Sequence, residues 1–223
     1  MPHWGLVIDL DRCTACQACV VACKHENNVA FSTPDIATEG RLMTWLQLVP
    51  VETADGVTSM PLLCQHCDRP PCTDVCPTSA TYLNPEGIVA QVYPRCIGCR
   101  YCTNACPYAV KVFNWAAPEW PAAMTAMMNP DVSVRPVGVV EKCTFCHHRL
   151  IAAKERARAA GRELARDDYV PACVQTCPSD AMVFGDLDDA HGEATALAAG
   201  SRAFRYMEEL GTRPKVVYLR EGE

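Results

Sequence analysis

The residues with the plainest chemical capacity in this chain are its cysteines. There are 16 among 223 residues, and they fall into four groups of four. Cys13, Cys16, Cys19 and Cys23 are separated by two, two and three residues. Cys96, Cys99, Cys102 and Cys106 repeat that spacing. Cys64, Cys67, Cys72 and Cys76 have two, four and three residues between them. The last group sets Cys143 and Cys146 apart from Cys173 and Cys177 by a gap of 26 residues. Pro77, Pro107 and Pro178 follow the last cysteine of three groups, and Lys24 takes that place in the first.

Thiols in such numbers can pair, bind zinc or hold iron–sulfur clusters. Four cysteines within about eleven residues are too crowded for disulfide geometry, and the chain is large for a disulfide-stapled scaffold. Structural zinc uses two Cys-x2-Cys pairs across a loop and needs neither a third nearby cysteine nor a Cys-x3-Cys-Pro ending. Cys-x2-Cys-x2-Cys-x3-Cys-Pro is the ferredoxin run, whose close cysteines wrap three corners of a cubane. The cysteine three residues further on has left that loop and ligates the neighbouring cluster. The proline then turns the chain away without offering an N–H.

Sixteen thiolates supply four [4Fe–4S] clusters with none left over. No Cys-x3-Cys-x2-Cys pattern leaves an iron open to substrate, so the expected role is electron carriage. No catalytic residue is assigned, and the chain is expected not to be an enzyme by itself. The formal net charge of −6 becomes about −14 once four oxidised clusters are bound. Backbone N–H groups and cations must compensate it. Arg12, Lys24, Arg69, Arg95, Arg100, Lys142 and Arg149 lie within a few residues of a cysteine and are candidates for that task. A negative charge and an aromatic content of 7% exclude a basic nucleic-acid face and a base-stacking platform.

The elements that must position these cysteines form an internal repeat. Residues 76–83, 106–113 and 177–184 each run from Cys-Pro through a short turn into a short strand. Val7–Asp9, Ile88–Val92 and Val139–Glu141 are strands leading into cysteine groups. Leu42–Glu52 and Val57–Leu62 flank Thr53-Ala54-Asp55-Gly56, a hairpin signal. His148–Ala160 reads as a basic amphipathic helix stopped by Gly161. Ala190–Leu210 reads as mostly helical with a break near Gly200, Arg213–Leu219 as a final strand, and Trp115–Pro130 as an irregular insertion. The expected class is α+β, with two interlocked ferredoxin-like sub-domains each built around two clusters. Residues 1–40 and 137–190 form the outer half, 41–136 the inner half with its hairpin and insertion, and 191–223 a C-terminal helix and strand extension.

The N-terminus lacks the basic and apolar regions of a secretory signal. No run of about 18 apolar residues spans a membrane. Membrane association is therefore expected to come through other subunits.

Leu63–Thr78 (LCQHCDRPPCTDVCPT), Glu141–Arg149 (EKCTFCHHR) and Ile8–Cys13 (IDLDRC) resemble the four-cluster iron–sulfur subunit of the complex iron–sulfur molybdoenzymes. That family includes subunits of dimethyl sulfoxide, polysulfide, thiosulfate, tetrathionate and arsenate reductases and of sulfite dehydrogenase. Asn129–Arg135 also looks like the equivalent domain of alternative complex III, which oxidises quinol without molybdenum. The resemblance covers essentially the whole chain. It implies a ligand scheme: Cys13, Cys16 and Cys19 with Cys177; Cys143, Cys146 and Cys173 with Cys23; Cys64, Cys67 and Cys72 with Cys106; Cys96, Cys99 and Cys102 with Cys76. It further implies a molybdopterin catalytic partner, a multi-helix membrane anchor with a quinone site, and a peripheral place on the prokaryotic inner membrane. Sulfur compounds are the expected substrates of the complex. His66 and Lys142 are candidate tuning or quinone-side residues, with His66 read chiefly as a hydrogen-bond donor or surface residue. His147 and His148 are read as surface residues at a helix start. Trp4, Trp45, Trp115 and Trp120 are read as core or interface.

Overall fold

The computed structural model describes residues 2–53, 56–220 and 222. In chain order the elements are β1 (Trp4–Asp9), α1 (Ala18–Glu26), α2 (Pro34–Thr38), β2 (Leu46–Thr53), β3 (Gly56–Leu63), α3 (Pro71–Asp74), β4 (Thr81–Leu83) and β5 (Val89–Gln91). There follow α4 (Tyr101–Asn104), β6 (Val112–Phe113), α5 (Ala122–Thr125), β7 (Val140–Glu141), α6 (His147–Ala159), α7 (Ala172–Gln175), β8 (Met182–Asp186), α8 (Glu193–Ala198), β9 (Ala203–Phe204) and β10 (Val216–Leu219).

A strand that is apolar on both faces must be covered on both, and β1 meets that condition. It sits inside a four-stranded sheet of order β8-β1-β10-β9, antiparallel to β8 and parallel to β10. Leu6 lies opposite Phe184 on one side and Val216 on the other, and Ile8 opposite Met182 and Tyr218. These side chains enter the main core with Trp45, Leu63, Phe145 and Leu150. Val7, Val217 and Leu219 point the other way, onto Ala194 and Leu197 of α8.

The remaining strands form three two-stranded ladders: β2-β3, β4-β5 and β6-β7. The hairpin β2-β3 pairs in register from Leu46 with Leu63 to Thr53 with Gly56. Ala54 and Asp55, the centre of the expected turn, lie outside the described residues. In α6, Leu150, Ala153 and Ala157 share the buried face, and burying a leucine contributes about 1.5–3 kcal/mol. Gly161, at φ 65°, closes the helix as its left-handed stop.

The expectation of a mostly helical run over Ala190–Leu210 holds only for α8 and for one 3-10 turn at Glu208–Leu210. Beyond Gly200 the chain extends, and Ala203 and Phe204 pair with Leu219 and Tyr218. Pairing with a distant strand wins over the local helical preference of alanine. The C-terminal strand lies between β1 and β9, inside the main sheet. Trp115–Pro130 is irregular apart from the single turn α5.

Candidate metal centres

Each cysteine group folds as a loop that runs into a short helix. The loops rely on left-handed backbone at ordinary residues: Ala15 and Gln17, then His66, Arg100, Phe145 and Cys146, all with φ between 44° and 63°. Such conformations cost about 1 kcal/mol or more each, and they turn N–H groups onto one concave side, which suits an anion. Gly98 meets a stricter demand: its φ is 70°, and a Cβ there would stand 2.4 Å from the carbonyl oxygen of Gly138.

The same device recurs after each Cys-Pro step. Ser79, Ala109 and Asp180 occupy equivalent places and are all left-handed. The chain then folds back so that the Thr81 N–H donates to Cys76 Sγ at 3.5 Å and the Ala181 N–H to Cys177 Sγ at 3.3 Å. The Phe145 N–H donates to Cys143 Sγ at 3.4 Å. Asn27 Nδ2 lies 3.8 Å from the sulfurs of both Cys23 and Cys146.

Helices α1 and α7 pack together, as do α3 and α4. The first pair carries or adjoins Cys19, Cys23, Cys173 and Cys177; the second, Cys72, Cys76, Cys102 and Cys106. The third and fourth cysteines of a group stand one helical turn apart, so they address different places.

The sulfurs gather accordingly. Burial pushes the Cys19 thiol up to about 11, and Cys13, Cys177 and Cys16 reinforce the shift. Cys23 is raised by burial and then by Cys143, Cys146 and Cys173. Cys67 is pushed to about 11 by burial and then by Cys64 and Cys106. Cys72 reaches about 12, chiefly by burial, with Cys64 and Cys106 adding and Lys111 and Lys142 opposing. Cys76, Cys96, Cys99 and Cys102 line one cavity. Cys13, Cys16 and Cys177 thus lie near Cys19, Cys143, Cys146 and Cys173 near Cys23, and Cys64 and Cys106 near Cys72.

Cysteines of different groups in the sequence also neighbour one another. Cys19 acts on both Cys23 and Cys173. Cys143 feels Cys64. Cys72 shares an apolar cluster with Cys102 and Cys96. Two cysteines are exposed, Cys16 and Cys99.

The donor sets suit [4Fe–4S] clusters. All 16 cysteines are free of disulfides. Among the described residues, no three His, Cys, Asp or Glu side chains converge on the position of a single metal ion. Backbone N–H groups are aimed at three of the sulfurs, Cys76, Cys143 and Cys177.

His66 is fully buried, 0% exposed, so its reading as a surface residue is corrected. Its Nδ1 accepts from the Val89 N–H at 3.2 Å, its ring stacks on Phe145, and its Nε2 has no partner among the described residues. Lys142 is equally buried and donates to the carbonyls of Val89 and Cys143. Of the other cations singled out, Arg12, Arg69, Arg95 and Arg100 are exposed, while Lys24 and Arg149 are half-buried. His147 and His148 are also half-buried at the start of α6, near Glu86 and Glu26 respectively. Trp4 and Trp45 lie in the core, Trp120 is half-buried, and Trp115 is exposed between Arg41 and Arg100, 4.9 and 4.7 Å from their guanidinium carbons.

Sequence reasoning missed the buried Lys111 and Lys215 and the buried pair Arg135–Glu141. Lys111 had a usable signal, since it lies five residues after Cys106. The others depend on contacts between distant segments.

A chain of mixed helix and sheet with these cysteine loops is an iron–sulfur protein of the 4Fe–4S dicluster class. Two models described as "4Fe-4S dicluster domain" match residues 56–127 and 95–182, and one described as "4Fe-4S binding domain" matches residues 4–25. The chain is 48% identical to the iron–sulfur cluster-binding subunit of menaquinone reductase from Nitratidesulfovibrio vulgaris, over 99% of this chain and 89% of that one. It is 42% identical to a putative dimethyl sulfoxide reductase iron–sulfur subunit from Halobacterium salinarum, over 98% and 79% of the two chains. It is 35% identical to iron–sulfur subunit 1 of an Hdr-like menaquinol oxidoreductase from Archaeoglobus fulgidus, over 99% and 84%. The chain belongs to this family of iron–sulfur electron-transfer subunits of multisubunit oxidoreductases. Among the described residues no helix is long and apolar enough to cross a membrane.

Proposed function

We propose that the chain is the electron wire of a quinone-linked membrane complex, built as two interlocked ferredoxin-like halves. The four cysteine sets would each hold one [4Fe–4S] cluster, which takes up and releases a single electron. The observation that carries this reading is their order. In the pairing that the family resemblance implies, the Cys13, Cys23, Cys64 and Cys76 sets would follow one another, since Cys19 influences Cys173, Cys64 influences Cys143, and Cys72 packs with Cys102 and Cys96; the exposed Cys16 and Cys99 would then lie at the two ends.

The residues of the chain fix position and exclude water. Short helices and left-handed loops hold the sulfurs rigidly, so little rearrangement accompanies a change in charge. Backbone N–H groups at Thr81, Phe145 and Ala181 stabilise the anionic sulfurs. Apolar burial of nine of the cysteines keeps solvent away between the ends.

Both ends would meet partners. Around Cys99 a cavity of about 610 Å³ is lined by Arg41, Arg100, Tyr101, Lys111 and Trp115, and Ile97 and Tyr101 are exposed beside it. Aromatic and apolar side chains with arginine are what protein interfaces select. One partner is a molybdopterin catalytic subunit acting on a sulfur compound. The other is a multi-helix membrane anchor that handles quinone and holds this chain peripherally at the prokaryotic inner membrane.

A second reading has a specific observation in its favour. Two of the relatives above are named for menaquinone or menaquinol rather than for a sulfur substrate. The wire would then serve a quinone-transforming complex without molybdenum. Purifying the tagged chain from its host without oxygen, and assaying metals in the complex that follows it, tests both. Molybdenum or tungsten beside iron supports the first reading. Iron alone in a membrane complex supports the second. Iron in a chain that purifies with no partner contradicts both and leaves a soluble polyferredoxin.

A further inference from the structure

Three lysines are almost wholly buried: Lys142 at 0%, Lys215 at 1% and Lys111 at 4% exposed. A buried ammonium is costly unless it is paired. Lys111 donates to Thr81 Oγ1 at 3.3 Å, and Lys142 to the carbonyls of Val89 and Cys143. Neither has a carboxylate partner among the described residues. Glu141, next to Lys142, is occupied by Arg135 at 3.0 Å. Glu86, on the same turn as the Lys142 acceptor Val89, is occupied by Lys154. Lys215 differs: it donates to the Gly87 carbonyl and also stands 3.2 Å from Asp68, itself paired with His3.

All three adjoin the Cys64 set. Val89, which accepts from Lys142, packs with Cys72 and donates to His66 between Cys64 and Cys67. Lys111 follows Cys106 by five residues and lies near Cys72 and Cys106. Two of the lysines also reach a neighbouring set: Lys142 through the Cys143 carbonyl, and Lys111 through Thr81, whose N–H donates to Cys76 Sγ. The Lys215 N–H donates to the carbonyl of Gln65, inside the Cys64–Cys67 loop, at 2.9 Å. Apart from Lys142 beside Cys143, the cations close in sequence to the other sets are half-buried, such as Lys24 and Arg149, or exposed, such as Arg12, Arg95 and Arg100.

We propose that Lys111, Lys142 and Lys215 are the counter-ions of the cluster held by Cys64, Cys67, Cys72 and Cys106, and that they raise its reduction potential. This rests on the iron–sulfur reading above. Reduction adds one negative charge at this set, and a fixed positive charge nearby favours that state. Lys111 and Lys142 carry more of the effect than Lys215, whose charge Asp68 offsets. They are positioning residues for potential, with no contact to any substrate implied.

The test is a redox titration followed by electron paramagnetic resonance on the anaerobically purified complex, with iron counted in every sample. Lys142→Gln keeps hydrogen-bonding capacity and removes the charge. Lys111→Gln does the same where the side chain lines the cavity beside Cys99. Each is expected to lower the midpoint of the Cys64 set by about tenfold in the reduction equilibrium, about 59 mV for one electron. A smaller shift is expected at one neighbouring set, that of Cys143 in Lys142→Gln and that of Cys76 in Lys111→Gln, with the remaining midpoints and the iron content unchanged. Lys215→Gln should give a smaller shift of the Cys64 signal. Full iron with unmoved midpoints in Lys111→Gln overturns the proposal, as does an equal shift of every signal. A wild-type chain without iron would instead overturn the underlying reading.

Discussion

The imidazole of His66 lies on the ring of Phe145, with centroids 3.8 Å apart and planes 22° from parallel. His66 comes from the loop between Cys64 and Cys67, and Phe145 from the loop between Cys143 and Cys146. The stack joins two cysteine loops that are far apart in sequence. Phe145 also meets Phe184 of β8 edge-on at 5.2 Å, so the contact is tied into the main core.

Phe145→Ala is therefore expected to remove a central packing contact. Truncating a buried phenylalanine costs about 3–5 kcal/mol. Thermal unfolding of the loaded protein should show a clearly lower midpoint. A midpoint within a degree or so of wild type would show that the stack holds nothing together.

Arg135 and Glu141 make a second long-range tie. The pair is 3.0 Å apart, each side chain is 2% exposed, and the guanidinium donates to the carbonyls of Asn27, Asn28 and Ser133. Arg135→Ala leaves a buried carboxylate and should cost about 3–5 kcal/mol. Replacing both residues with methionine should recover part of that loss. Denaturant unfolding of the three proteins checks this, and a double variant worse than the single one would contradict it.

The crossing of the fourth cysteine has its own test. Cys76 lines the same cavity as Cys96, Cys99 and Cys102, although its neighbours in sequence are Cys67 and Cys72. Cys76→Ala should deplete the Cys99 site and lose about four irons. The electron paramagnetic resonance signal of the Cys64 site should remain. Loss of that signal, with the Cys99 site intact, would mean that the sets are paired differently.

Much of this arrangement is legible in the sequence because cysteine spacing and the Cys-Pro repeats are local. The strands after Cys76, Cys106 and Cys177 and the helix His147–Ala159 follow from short-range patterns. What escapes is non-local. Nothing near Ala203 and Phe204 announces that they will pair with β10, and nothing near Lys215 announces Gly87 or Gln65. Burial of His66 is similarly hidden, because the ring that covers it lies 79 residues away.

One surface ion pair predicts a pH response. Hydrogen bonds from Arg162, with a further one from the Ala165 N–H, hold the Asp168 carboxyl at about 2. An unfolded aspartate titrates near about 3.9. The lowered folded value means that the contribution is complete above about 3.9 and fades as pH falls toward 2. Amide exchange at Ala165 should accordingly be slow, once corrected for intrinsic rates, throughout the neutral range. Asp168→Ala should abolish that protection, and unchanged protection in the variant would contradict the assignment.

An electron wire of this design requires four clusters in one chain. The direct measurement is iron and acid-labile sulfide per polypeptide in the anaerobically purified protein. The expected result is about sixteen of each. Stoichiometric zinc, or about half that iron with every cysteine intact, would contradict the four-cluster wire.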